Sequence, residues 1–200
     1  MFKWRKPGFL KVRLCAPKKE RNKLEIKTDP MAVREIVQYP AEILRKPARK
    51  VTRTDLARLN KVIEDMRDTL ESAHGAGLAA PQVNEDLRVC LALKIETEEV
   101  RVYINPVIKR AEGEEIGEEG CLSFNGLVGL VPRATRIWVK FQDESLRWHS
   151  VVLEGLSARI LQHEIDHLNG VTIKDTSIVE LYKPKVAEEE KLSRAPGTKD

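Results

Sequence analysis

Two stretches of this chain repeat apolar residues at helical spacing, and a run of shorter apolar segments lies between them. In the first, Leu56, Leu59, Ile63, Met66 and Leu70 line one face. That spacing predicts an amphipathic helix, with Thr54 or Asp55 as its N-terminal cap. In the second, residues 154–168, Leu156, Ile160, Leu161 and Leu168 keep an apolar face, and Asn169-Gly170 supplies a stop. Residues 87–95, 100–108, 135–141 and 148–153 are rich in branched residues or alternate, and read as strands. The order helix, strands, helix predicts an α+β fold rather than alternating β-α units. No internal repeat is present.

The ends differ from the middle. Residues 1–30 carry ten Lys/Arg and three acids, a net of +7, within a total of +4. The rest of the chain is therefore at −3, so the basicity belongs to an N-terminal extension, not to a nucleic-acid-binding core or a specific DNA reader. Pro7, Pro17 and Pro30 break that extension, which is expected to be a disordered arm. It could touch an anionic partner such as RNA, or be an organelle-targeting peptide. The absence of serine from it counts against targeting. The favoured reading is that Met31 starts the protein proper and that residues 31–37 lead into a strand. Residues 31–177 are then the folded domain. Residues 178–200, charged and holding Pro184 and Pro196, are expected to form a short helix running into a tail.

Composition narrows the class without naming a reaction. Two hundred residues with 42% hydrophobic content suffice for one domain with a sizeable core. No apolar run approaches the length of a membrane span. Three cysteines fit a reducing compartment better than a disulfide framework, so a cytoplasmic location is expected over a secreted one.

The candidate chemistry lies in the second helix. His163-Glu164-Ile165-Asp166-His167 puts two imidazoles four residues apart on one helix face, where both can reach one metal ion. Glu164 can reach a water there. Such a set predicts metal-assisted hydrolysis. A third ligand is needed, and Cys121, after Gly120, is the candidate; it would suit Fe(II) as well as Zn(II). The competing reading makes Cys121 a small buried hydrophobe, and Cys15 and Cys90 are given no role in the site. The loop Gly75-Ala76-Gly77 lacks the length and the lysine of a phosphate cradle. Its glycines fit backbone running past a substrate, with Gln82 offering an amide donor to an oxyanion. Taken alone, Gln82 reads as a surface residue, and Arg159, one turn before His163, either projects its guanidinium toward the pocket mouth or, the favoured reading, is solvated.

Three motifs in this order, Gly75–Gln82 (Gly-Ala-Gly-Leu-Ala-Ala-Pro-Gln), Glu119-Gly120-Cys121-Leu122-Ser123 and His163-Glu164-Ile165-Asp166-His167, resemble the signature motifs of peptide deformylase. Tyr39-Pro40, Asn105-Pro106, Val131-Pro132-Arg133 and Gln162 extend the resemblance. It implies antiparallel sheets around a central helix that carries the two histidines. It implies removal of the formyl group from N-formylmethionyl nascent peptides, releasing formate, and a place near the ribosomal exit tunnel. Carried onto this sequence, Cys121, His163 and His167 would bind Fe(II) in the cell, with Zn(II), Ni(II) or Co(II) serving in vitro. Glu164 would move the proton, while Gln82 and the backbone N–H of Leu122 would hold the oxyanion. The backbone of Gly75, Ala76 and Gly77 and of Glu119 and Gly120 would line the substrate as an added strand would. Ala76 stands where the family usually has a branched apolar residue, and Gly117 where an apolar one is often found. Two rival readings, a retired site kept for binding and a zinc endoprotease, leave the intact set, or Cys121 and Gln82, without a role.

Overall fold

The structure, a computed structural model, describes residues 32–184. The basic extension and residues 185–200 lie outside them. After two short 3-10 turns comes α1 (Leu56–Ala73), then β1 (Gly77–Ala79), β2 (Val89–Lys94), β3 (Glu99–Glu112), β4 (Glu115–Gly120), β5 (Val128–Arg133), β6 (Arg136–Gln142) and β7 (Trp148–Glu154). The helices α2 (Gly155–Leu168) and α3 (Ile173–Thr176) close the order. Every strand pair is antiparallel: one sheet runs β1-β2-β3-β6-β7, the other is β4-β5.

The larger sheet is covered on both faces where β1–β3 lie, and strand periodicity shows how. Successive side chains of a strand point to opposite faces. Val89 and Leu91 of β2, with Val102 and Ile104 of β3, pack against Leu59, Val62, Ile63, Met66 and Leu70 of α1. Cys90, Ala92 and Tyr103, with Ile137, Val139 and Phe141 of β6, pack against Ala158, Ile160, Leu161, Ile165 and Leu168 of α2. The predicted apolar face of α1 is thus buried, apart from Leu56, which is exposed. The helix α2 is buried on most sides, because the sheet lies on one side of it and the β4-β5 hairpin approaches from another. A buried helix with polar residues must find partners for them.

Several expectations need correction. Asp55 does hold the N-cap position of α1, but its side chain caps nothing in that helix: its Oδ2 accepts from the Thr52 N–H and hydroxyl, at 2.8 and 3.0 Å, in the capping box of the preceding 3-10 turn. Residues 32–38 are extended but belong to no sheet; Val37 N–H bonds the Gln82 carbonyl at 2.8 Å instead. Residues 178–184 are not helical. They run back along β5, where Val128 and Tyr182 exchange backbone hydrogen bonds of 2.8 and 2.9 Å.

Candidate active site

α2 brings His163, Glu164 and His167 into the interior, and the end of β4 brings Cys121 to them. Ligating atoms of Cys121, His163 and His167 all lie within 4.8 Å of one another. Cys121 Sγ is 3.2 Å from His167 Nε2. His163 Nδ1 lies 2.9 Å from Glu119 Oε2, so its other nitrogen, Nε2, is the one left to ligate. A carboxylate on the far nitrogen of a ligating histidine fixes the ring and raises its basicity.

The surroundings of each group fit a cation. Burial disfavours charge on His163, but hydrogen bonds to Cys121 and Glu119 outweigh it and raise its pKa well above 6.5. Surroundings that attract a proton to a ring nitrogen also attract a metal ion. Burial holds His167 well below its ordinary value, as the neutral imidazole that a ligand must be. A thiolate and two imidazoles form a donor set suited to zinc or iron. Burial also pushes the Glu164 carboxyl up to about 7, and its Oε2 has no partner among the described residues.

Glu119 organises the far side. Arg133 bonds both its oxygens at 2.9 Å, through Nε and Nη2, and Arg159 Nη1 bonds Oε1 at 2.9 Å. Burial opposes its charge, yet the bonds to His163 and Arg133 hold its carboxyl down at about 2. Arg133 Nη1 also reaches Asp166 Oδ2 at 2.5 Å. Gln162 ties α2 to the entry of β6, accepting from Ala134 N–H at 3.0 Å and donating to its carbonyl at 2.9 Å.

Gln82 is buried, with 2% of its surface exposed. Ala79 N–H donates to its Oε1 at 2.9 Å, which turns Nε2 towards Ser123 Oγ (3.2 Å) and Cys121 Sγ (3.6 Å). The amide thus offers its donor face to the site. Leu122 opens a 3-10 turn, whose first N–H has no partner within the turn. A cavity of about 430 Å³ joins these parts. β1 and β4 are outermost strands of their sheets, and residues of both line it: Gly77 on one side, Glu119 and Gly120 on the other.

The sequence profile of polypeptide deformylase matches residues 33–181. The chain belongs to the polypeptide deformylase family. It is 46% identical over 142 residues to peptide deformylase 1 of Bacillus anthracis, covering 70% of this chain and 90% of that one. Among solved structures, a Thermus thermophilus peptide deformylase is 45% identical, with a TM-score of 0.66 over 70% of this chain and 83% of that chain. A Met-Ala-Ser-bound class I type b peptide deformylase from Acinetobacter baumannii is 30% identical, with a TM-score of 0.69 over 73% and 99%.

Seen as a deformylase fold, the structure gathers the residues singled out in the three motifs: all but His167 line one cavity, and His167 is buried against Cys121. Glu119 was expected to line substrate, and it does border the cavity, but both its oxygens are taken by protein donors. Gln82 and Arg159, which read singly as surface residues, are both buried. Arg133 had no assigned role; its part in holding Glu119 depends on strand pairing between β4 and β5, which local sequence does not display. No helix among the described residues is long and apolar enough to cross a membrane.

Proposed function

We propose that Glu164, Gln82 and the Leu122 N–H carry out, in this chain, the hydrolysis that gives the deformylase family its name: removal of the formyl group from the N-terminal formylmethionine of newly made proteins. The observation that carries these assignments is three ligating atoms within 4.8 Å beside a buried carboxylate with an unpartnered oxygen. The bound ion, Fe(II) in the cell with Zn(II), Ni(II) or Co(II) as substitutes in vitro, would be held by Cys121, His163 and His167. It would supply Lewis acidity and a hydroxide nucleophile near neutral pH.

The chain's own residues do the rest. A nascent peptide enters extended between the outer edges of β1 and β4, main chain to main chain, so that only its first side chain is read. Gln82 Nε2 and the Leu122 N–H donate to the formyl oxygen, which becomes an oxyanion as the nucleophile adds to the formyl carbon, a contact stronger in the transition state than in the substrate. Glu164 accepts a proton as the nucleophile adds and delivers it to the departing amine. A carboxyl with a pKa near 7 does both tasks well. Glu119 holds the His163 ring, and Arg133 holds Glu119. Residues 31–177 act as the catalytic domain, and the charge of residues 1–30 and 178–200 suits ribosomal RNA or protein at the exit tunnel, in the cytoplasm.

The deciding experiment is formate release from formyl-Met-Ala-Ser by protein purified without oxygen and loaded with Fe(II). Wild type releases formate; Glu164→Ala keeps its metal and loses nearly all turnover. A Glu164→Ala protein that turns over near the wild-type rate would remove the base assignment. Metal-loaded wild type that releases no formate would overturn the reaction.

A further inference from the structure

Besides the ligands and the oxyanion donors, the cavity is lined by Ala76, Leu156 and Ile160, which are apolar, and by Arg159, which is not. The Arg159 side chain is 10% exposed. Its Nη1 donates to Glu119 Oε1 and to the Val131 carbonyl, both at 2.9 Å, and its Nη2 donates to the Glu115 carbonyl at 2.6 Å. A guanidinium has five N–H groups. These bonds use three, so the Nε–H and the second hydrogen on Nη2 have no partner among the described residues. Gly117 is what lets the group lie there. A Cβ on Gly117 would stand 3.0 Å from Arg159 Cζ and Nη2 and 3.3 Å from Nη1. A side chain at 117 and the guanidinium therefore compete for one place.

The charge here is balanced. Arg159 and Arg133 face Glu119 and Asp166. An arriving anion would lose its water and find both guanidiniums already paired with carboxylates, so it is disfavoured. A neutral acceptor loses less on entering and gains a charged donor. Resting on the deformylase reading of this site, we infer that Arg159 determines specificity for the first side chain, and that it extends the substrates to formyl peptides whose first side chain ends in a neutral hydrogen-bond acceptor. Methionine sulfoxide is the nearest such group to methionine in length. A wholly apolar pocket would reject it, because its oxygen would be buried without a partner.

The test compares kcat and KM of the Fe(II)-loaded protein on formyl-Met-Ala-Ser, formyl-norleucyl-Ala-Ser and formyl-Met-sulfoxide-Ala-Ser. Arg159 also braces Glu119, so Arg159→Leu will slow all three; the quantity read is the ratio of kcat/KM for sulfoxide to that for norleucine. Wild type should use the sulfoxide within about 10-fold of norleucine, and Arg159→Leu should lower that ratio by about 10-fold or more. Gly117→Val, which displaces the guanidinium without removing it, should lower the ratio in the same direction. Calorimetry with the products Met-sulfoxide-Ala-Ser and norleucyl-Ala-Ser should show the same discrimination in affinity. A wild-type preference for norleucine beyond about 100-fold overturns the inference, as does a ratio that neither variant moves. Turnover of formyl-Met-Ala-Ser in the same assay keeps the deformylase reading intact in that event, whereas no formate from any of the three peptides overturns the reading itself.

Discussion

Gly77 and Glu164 set the tolerance of the site. A Cβ at residue 77 would stand 2.3 Å from Glu164 Oε1 and 2.7 Å from its Cδ. The carboxylate would have to move, and a displacement of about 1 Å in a catalytic group costs about 100-fold. Gly77→Ala should therefore lower kcat by about 100-fold while metal content, read by atomic absorption, stays at the wild-type level; full activity would show that Glu164 need not stand where it does. The metal-binding motif was legible here because its spacing is local: two histidines four positions apart on one helix are enough. Arg159 was not. Its burial depends on the absence of a side chain at Gly117, which is distant in sequence and lies on a strand that meets α2 only after folding.

Elements differ in how openly the sequence declares them. β2, β3, β6 and β7 show themselves through apolar or alternating residues, and α1 and α2 through their apolar faces. β4 does not: Glu115-Ile116-Gly117-Glu118-Glu119-Gly120 has a strand's geometry but the composition of a loop. It is a strand because β5 pairs with it, and pairing is not a local property. Asn105 shows the same dependence on contact. Its backbone is at φ 49°, which asparagine tolerates better than most residues. Its side chain accepts from Val51 N–H and donates to the Val51 carbonyl, both at 2.9 Å, joining β3 to the segment before α1. Asn105→Ala should lower stability by about 2 kcal/mol or more, read as a lower urea midpoint at unchanged slope. Gly129 tests the last described segment. A Cβ there would stand 2.6 Å from Ser177 Oγ and 2.8 Å from Leu181 Cδ2. Gly129→Val should lift residues 177–182 off β5, and amide exchange of Ile178 and Tyr182 should speed up. Unchanged exchange would mean that those backbone bonds do not hold the segment.

At the scale of the whole molecule, ion pairs around α1 give its stability an acid limit. Arg49 bonds both oxygens of Asp55, at 2.7 and 3.1 Å, and Thr52 adds its backbone N–H and hydroxyl. The Arg49 contact first, then the Thr52 N–H, hold the Asp55 carboxyl well below the ordinary carboxylate range. A carboxyl depressed by folding stabilises the native state above its unfolded pKa, about 3.9. That contribution is lost as pH falls through the lower, folded value. Asp55→Asn should thus lower the urea midpoint at neutral pH, and the gap from wild type should narrow as the pH falls below about 4. A gap of constant size across that range would assign the effect to shape rather than charge.

The slot between β1 and β4 has a consequence for the economy of the cell. Its rims are peptide groups, and a peptide group is the one feature that all proteins share. An enzyme that grips its substrate by that feature, as proposed above for this chain, and inspects a single residue beside it, needs no list of clients. One gene can then serve every chain the ribosome starts, and a new protein acquires its processing without any change in the processor.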